Sequence, residues 1–298
     1  MNWLASTFTA LFGSAAYVSF LKLAQGYYDP KTVQSFLMTI CFLYYYIVGN
    51  NKNLFKSFEI YAAIAGLLFG LMTISFNAAV NLANNPGLPG SIVPSNALLT
   101  YFISLPLFGL AFSWKKFSTI LLIIVGCIIT TIPNMKDFKS SNNLWIIMTL
   151  IAATCAAGND IFSKLSLNKI NNNQYLVVQM FTAAITTIVA QYMITKTVGL
   201  KTLKKKDQKK DSKIAFLNKY PQLSLFIALS GLLVFRQFLG IAIEKSENPS
   251  YPRAIFNSQF FVSLLLSMGI QKGSQITNYQ WAGSSVVLVG VLAMALQK

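Results

Sequence analysis

The sequence predicts an all-α polytopic membrane protein, with ten transmembrane helices arranged as two inverted five-helix repeats. Three observations carry this expectation. Charged residues fill only 11% of the 298 positions while hydrophobic ones fill 54%, against roughly 25% charge in a typical soluble domain. The mean hydropathy of +0.54 is spread along the chain in apolar blocks of about twenty residues, the length a helix needs to cross a ~30 Å hydrocarbon core. One short motif also occurs twice, 163 residues apart.

Apolar blocks between polar breaks place spans near 3–22, 32–49, 60–83, 89–111, 117–133, 144–166, 175–198, 223–243, 253–271 and 279–297. The first has neither a basic leader nor a small-residue cleavage site, so it is expected to be retained as a span. The one long polar connection, 199–222, contains KTLKKKDQKKDSK. It is too charged and too poor in apolar residues to fold alone, and reads as a flexible solvated loop.

The motif ahead of the fourth span, Asn85-Pro86-Gly87-Leu88-Pro89, returns ahead of the ninth as Asn248-Pro249-Ser250-Tyr251-Pro252. Holding the 163-residue offset over 85–105 and 248–268 gives six identities in 21 positions, where chance supplies about one. Asn opens a helix by capping it, and Pro is tolerated in a first turn whose N–H groups lack intrahelical acceptors. Fainter echoes join Ala15-Ala16 through Leu23 to Ala156-Ala157 through Leu165, and Ala65-Gly66-Leu67-Leu68 to Ser230-Gly231-Leu232-Leu233. The halves are then 1–133 and 144–298. Because five is odd, two such units enter the membrane from opposite sides, the inverted-repeat plan of alternating-access carriers.

The chain resembles the ten-helix, EamA-type form of the drug/metabolite transporter superfamily. The resemblance rests on the duplicated units, on NPGLPGSIVPSNALLTYFISLPLFG and NPSYPRAIFNSQFFVSLLLS at the fourth span of each half, and on the glycine-bearing fifth spans LLIIVGCIITTI and SSVVLVGVLAMAL. It implies a carrier of small organic solutes, a central cavity lined by the first, third and fourth spans of each half, and both termini in the cytosol. One departure is that no acid follows the fourth span of either half, in FGLAFSWKKFS and MGIQKGSQITN. With termini inside, Lys52, Lys56, Lys115, Lys116, Lys164, Lys169, Lys245, Arg253 and Lys298 count towards the cytosolic face. Lys22, Lys31, Lys136, Lys139 and Lys272 count against it, nine to five before the 199–222 loop is added.

Composition excludes other classes. There is no histidine, hence no imidazole base or histidine metal site, and Cys41, Cys127 and Cys155 sit singly inside apolar blocks. No cofactor and no metal are expected. The net charge of +16 lies mainly in connections, so no basic domain is offered to nucleic acid; loop lysines face headgroups and solvent instead. No phosphate-binding glycine loop suggests ATP-driven transport.

Ionisable groups inside a span are costly, and face a cavity or one another. Asp160, Lys164 and Arg236 qualify, whereas Lys22, Glu59 and Glu244 lie near span ends, where snorkelling suffices. Asp160 and Lys164, four residues apart, share a helix face and are expected to neutralise each other. Arg236, with apolar neighbours on its own helix, is expected to bind an anionic substrate group while Asp160 positions a cation: Lys164, Arg236 or a substrate ammonium. The competing reading is a purely structural Asp160–Arg236 ion pair. Asp160 is also the sole carboxylate placed for proton coupling. Asn159, Gln237, Asn77, Asn96 and Gln259 complete the candidate set, as interhelical glue or ligand contacts; Tyr17, Tyr45 and Tyr101 are aromatic candidates for a cavity wall. Gly66-Leu67-Leu68-Phe69-Gly70 permits close helix approach, either inside the bundle or in a homodimer.

The function these readings predict is secondary transport of a small polar or zwitterionic organic metabolite, an anionic group being one feature it could carry, with the bilayer and that solute as partners. A membrane scaffold or sensor that keeps a carrier fold is the second reading. A membrane enzyme is the third, disfavoured by one carboxylate and no histidine in the spans.

Overall fold

The computed structural model describes residues 2–25, 27–49, 58–82, 89, 92–130, 144–198, 217, 220–259, 262–263, 265–266 and 277–297. Among them the chain forms ten α-helices: α1 (Trp3–Ala24), α2 (Pro30–Val48), α3 (Ile60–Leu82), α4 (Asn96–Leu107), α5 (Trp114–Ile129), α6 (Leu144–Leu167), α7 (Asn172–Val198), α8 (Pro221–Lys245), α9 (Ser250–Phe256) and α10 (Asn278–Leu296).

Helix starts follow local chemistry. A side-chain oxygen stands before the apolar run and takes an otherwise unpaired N–H: Asn2 from Ala5, Asp29 from Thr32 and Glu59 from Ala62, all at 2.8–2.9 Å. Thr277 and Gln280 form a reciprocal capping box at α10. Asn248 Oδ1 accepts from Ser250 N at 2.9 Å and Pro252 sits in the first turn of α9, as the second copy of the repeated motif suggests. The first copy, 85–88, lies outside the described residues, as does most of the 199–222 loop.

The fourth span is interrupted. Pro89 and Ile92 are already helical, and a 3-10 turn over Val93–Ser95, which contains Pro94 with no N–H to donate, separates Ile92 from α4. It ends because Gly109 takes φ +65° and Leu110 N reaches back to Leu105 O at 2.8 Å, a closure that a residue with a Cβ resists. The ninth is interrupted too: α9 stops at Phe256 and turns at Asn257 and Ser258. Among the described residues six helices are long and apolar enough to cross a bilayer, α1, α3, α6, α7, α8 and α10, with shorter apolar helices at Thr32–Val48 and Val93–Leu107.

Glycines set the tightest crossings. α1 packs on α8, where a Cβ on Gly231 would stand 2.6 Å from Gly13 O. α5 packs on α10, where a Cβ on Gly283 would stand 2.6 Å from Gly126 O. A Cβ on Gly66 would lie 1.8 Å from Thr182 Oγ1 and 2.3 Å from Gln179 O, so Gly66-x-x-x-Gly70 seats α3 on α7 within the chain. α3 also packs on α6, α2 on α7, α4 on α6 and on α9, and α9 on α1.

Beside two small apolar clusters around Leu23 and Trp145, two large ones result among the described residues. One joins α2, α3, α7 and α8 around Leu37, Met38, Phe69, Leu176, Met180 and Leu232; the other joins α4, α5, α9 and α10 around Tyr101, Ile120, Ile123 and Ile255. Ile47, Trp114, Val189, Phe226 and Leu296 point outwards. So much outward apolar surface suits lipid and not water. The protein is an integral multi-pass membrane protein.

Several helix ends meet. Lys169 Nζ reaches Glu59 Oε1 at 3.7 Å, Lys116 Nζ reaches Glu247 Oε2 at 3.6 Å, and Gln297 Nε2 donates to Lys115 O at 3.2 Å. Exposed pairs of this kind contribute little stability. They do locate the start of α3 beside the α6–α7 turn, and the start of α5 beside both the α8–α9 turn and the end of α10.

Candidate substrate site

Asp160 is fully buried on α6, and its partner is neither Lys164 nor Arg236. Arg253, in the first turns of α9, donates through Nε to Oδ2 and through Nη2 to Oδ1, a two-pronged guanidinium–carboxylate pair. The expected Asp160–Lys164 neutralisation fails because the long lysine stem reaches past its own helix. Lys164 Nζ donates to Glu244 O at 2.6 Å and Ser246 O at 2.7 Å, neutralising the carbonyl end of α8. Lys164 and Arg253 are therefore interior groups, and removing both from the nine cytosol-side cations leaves seven against five.

From this ion pair a chain of side-chain hydrogen bonds runs to α8. Asn159 Nδ2 donates to Asp160 Oδ1 at 3.2 Å, Gln179 Nε2 on α7 donates to Asn159 Oδ1 at 2.8 Å, and Arg236 Nη2 donates to Gln179 Oε1. The direct Asp160–Arg236 pair is thus replaced by a relay through two amides. Arg236 is 3% exposed, with its guanidinium carbon 4.1 Å from the centre of the Phe69 ring and 5.4 Å from that of Phe235. Its Nε–H is buried with no hydrogen-bond partner among the described residues. The relay carries two guanidinium groups and one carboxylate, a surplus of one positive charge.

The remaining candidates lie elsewhere. Gln237 is on the side of α8 that faces the start of α7, where its Nε2 donates to Asn173 Oδ1 at 3.4 Å. Asn77 is half-buried on α3, apart from the relay. Asn96 accepts from Asn257 Nδ2 at 3.1 Å, and Gln259 accepts from Ser14 Oγ, so both join helices. Tyr17 and Gln34 bind each other at 3.1 Å, Tyr45 donates to Leu233 O at 2.8 Å, and the Tyr101 hydroxyl accepts from Ser113 N at 2.9 Å.

Sequence reasoning missed Arg253 and Gln179. Arg253 stood at the expected edge of a span and was counted as a loop cation. Gln179 stood only four residues inside an expected boundary at 175, whereas α7 begins at Asn172. An amide flanked by Val177, Val178, Met180 and Phe181 was the available signal.

A buried polar relay inside a bundle of apolar helices defines the class: a multi-pass membrane protein with a chemically specific interior. The sequence model of the EamA-like transporter family matches residues 143–296, more than half of the chain. The chain belongs to that family, within the drug/metabolite transporter superfamily. A solved crystal structure, titled only as that of a protein, superposes with TM-score 0.70 over 99% of both chains at 17% identity, which establishes a shared fold. No curated protein matches the chain.

Proposed function

We propose that the protein is a secondary transporter that moves a small organic metabolite by alternating access, through ten spans built as inverted units 1–133 and 144–298. The carrying observation is that the principal helix contacts recur when the halves are exchanged, although α3 packs on α7 far more extensively than α8 does on α2. The α1–α8 contact is matched by α6–α3 and the α1–α9 contact by α6–α4, while α2–α7, α4–α9 and α5–α10 pair each helix with its counterpart.

Individual residues support the same symmetry. Asn257 Nδ2 donates to Pro94 O at 3.2 Å, across 163 residues, the offset of the repeated motif. Counterpart positions meet only near a two-fold axis. Gly126 on α5 and Gly290 on α10, 164 residues apart, each face the opposite helix of that pair closely, Gly126 against Gly283 and Val287 and Gly290 against Ile123. Linked helix ends support alternation across the bilayer; seven cations against five favour cytosolic termini before the 199–222 loop is added, and the lysines of that loop reverse the sign.

The interior suits a carrier better than an enzyme, because Asp160, the only buried carboxylate among the described residues, is held by Arg253. Counterflow tests the proposal. Purified protein in proteoliposomes is challenged with a panel of isotope-labelled metabolites, with and without the unlabelled solute inside. Saturable uptake stimulated by internal solute is expected. Absence of any mediated flux contradicts transport and favours the scaffold; chemical conversion without a gradient favours the enzyme.

A further inference from the structure

The two buried arginines differ in how well they are satisfied. Arg253 presents its Nε–Nη2 edge to Asp160 and both donors find carboxylate oxygens. Arg236 donates to Gln179 Oε1 through Nη2 alone, and its buried Nε has no hydrogen-bond partner among the described residues. A side-chain amide has one acceptor oxygen and fills half of a fork that a carboxylate fills completely. We propose that Arg236 is the recognition residue for a singly charged carboxylate, and that the Gln179 amide oxygen occupies half of its fork when the solute is absent. This rests on the carrier reading and narrows it to a substrate class.

Three observations select that class. The relay holds one uncompensated positive charge, costly in a low-dielectric interior and only partly offset by the Phe69 ring face. A monocarboxylate neutralises it, whereas a phosphate monoester, at about −1.5 to −2, overshoots. Asp160 is committed to Arg253, so among the described residues no buried acid is left for an ammonium group and an amino acid is a poor match. Phe69 and Phe235, the latter stacked 4.8 Å from Phe256, offer apolar surface beside the guanidinium, which suits a carboxylate with an apolar body. Displacing Gln179 Oε1 breaks one bond and leaves Gln179 Nε2 on Asn159.

The test uses two variants of the full chain. Gln179→Glu tethers a carboxylate at the fork, and Arg236→Lys keeps the charge but loses the fork. Thermal-shift titration in detergent is carried out with lactate and phenylacetate, against lactamide, glycine and methyl phosphate. The expected result is stabilisation of the wild type by a monocarboxylate but not by the other three solutes. Half-saturation rises at least about tenfold in whichever variants fold, the scale of a lost charged hydrogen bond. Preference for glycine or methyl phosphate, no response to either monocarboxylate, or unchanged half-saturation in the folded variants overturns the assignment. Counterflow of the same solutes separates the two readings. Monocarboxylate binding without flux supports this site and removes the carrier, while flux confined to lactamide, glycine or methyl phosphate keeps the carrier and overturns the site.

Discussion

Removing the charge of Asp160 is the sharpest perturbation of the interior, because its partner cannot escape to water. In Asp160→Asn, Arg253 stays about 5% exposed with its Nε–Nη2 edge facing an amide. Breaking a buried pair from one side costs about 3–5 kcal/mol. Arg253→Gln strands the carboxylate instead and is expected to cost a similar amount. The double variant buries no unpaired charge at this position, so its loss should fall well short of the sum, leaving a coupling on the order of 2–3 kcal/mol. Equilibrium unfolding in mixed micelles, followed by tryptophan fluorescence, measures all four corners of this cycle. Exchanging the charges, Asp160→Arg with Arg253→Asp, should recover part of the stability. Asp160→Arg with Arg236→Asp, the exchange suggested by sequence alone, should not. Additive single losses, or a cost below about 1 kcal/mol for Asp160→Asn, would refute the pairing.

Other sites yield further expectations. Gly66→Ala should sharply lower folded yield on size-exclusion chromatography, and adding Thr182→Ala should rescue it only in part, because Gln179 O remains 2.3 Å from the new Cβ. Lys164→Met retains the stem but loses two carbonyl contacts at the end of α8, at about 1.5–3 kcal/mol each, measurable in the same unfolding assay. Deleting Lys204 to Lys213, a stretch whose composition gives it no apolar face, should leave membrane insertion and counterflow intact.

The six long apolar helices were legible because bilayer thickness imposes a length on each apolar block and caps mark several of their starts. Asp160, Lys164 and Arg236 were legible as interior charges for the same reason. Their partners were not. Spacing along one helix brings Asp160 and Lys164 together, but a lysine stem can span the gap to another helix, and α8 ends in unpaired carbonyls beside it. Arg253 was hidden by its place in the first turns of α9, where a cation reads as interfacial until the packing of α9 against α1 and α4 is known. The Gly66–Gly70 motif announced a close approach but not its target, since that depends on which helix presents small side chains and bare backbone across from it. Here α7 supplies Gln179 and Thr182.

The central claim is that two five-helix units cross the membrane in opposite senses, and paired single-cysteine labelling tests it directly. In a background with Cys41, Cys127 and Cys155 replaced, one cysteine is placed at Leu88, between α3 and α4, and another at Glu247, in the exposed turn between α8 and α9. An impermeant maleimide is added to sealed vesicles of known orientation, outside first and then after permeabilisation. The inverted arrangement predicts that Leu88→Cys and Glu247→Cys are each labelled from one face only, and from opposite faces. Labelling of both from the same face would contradict the inverted repeat and remove the structural ground for alternating access.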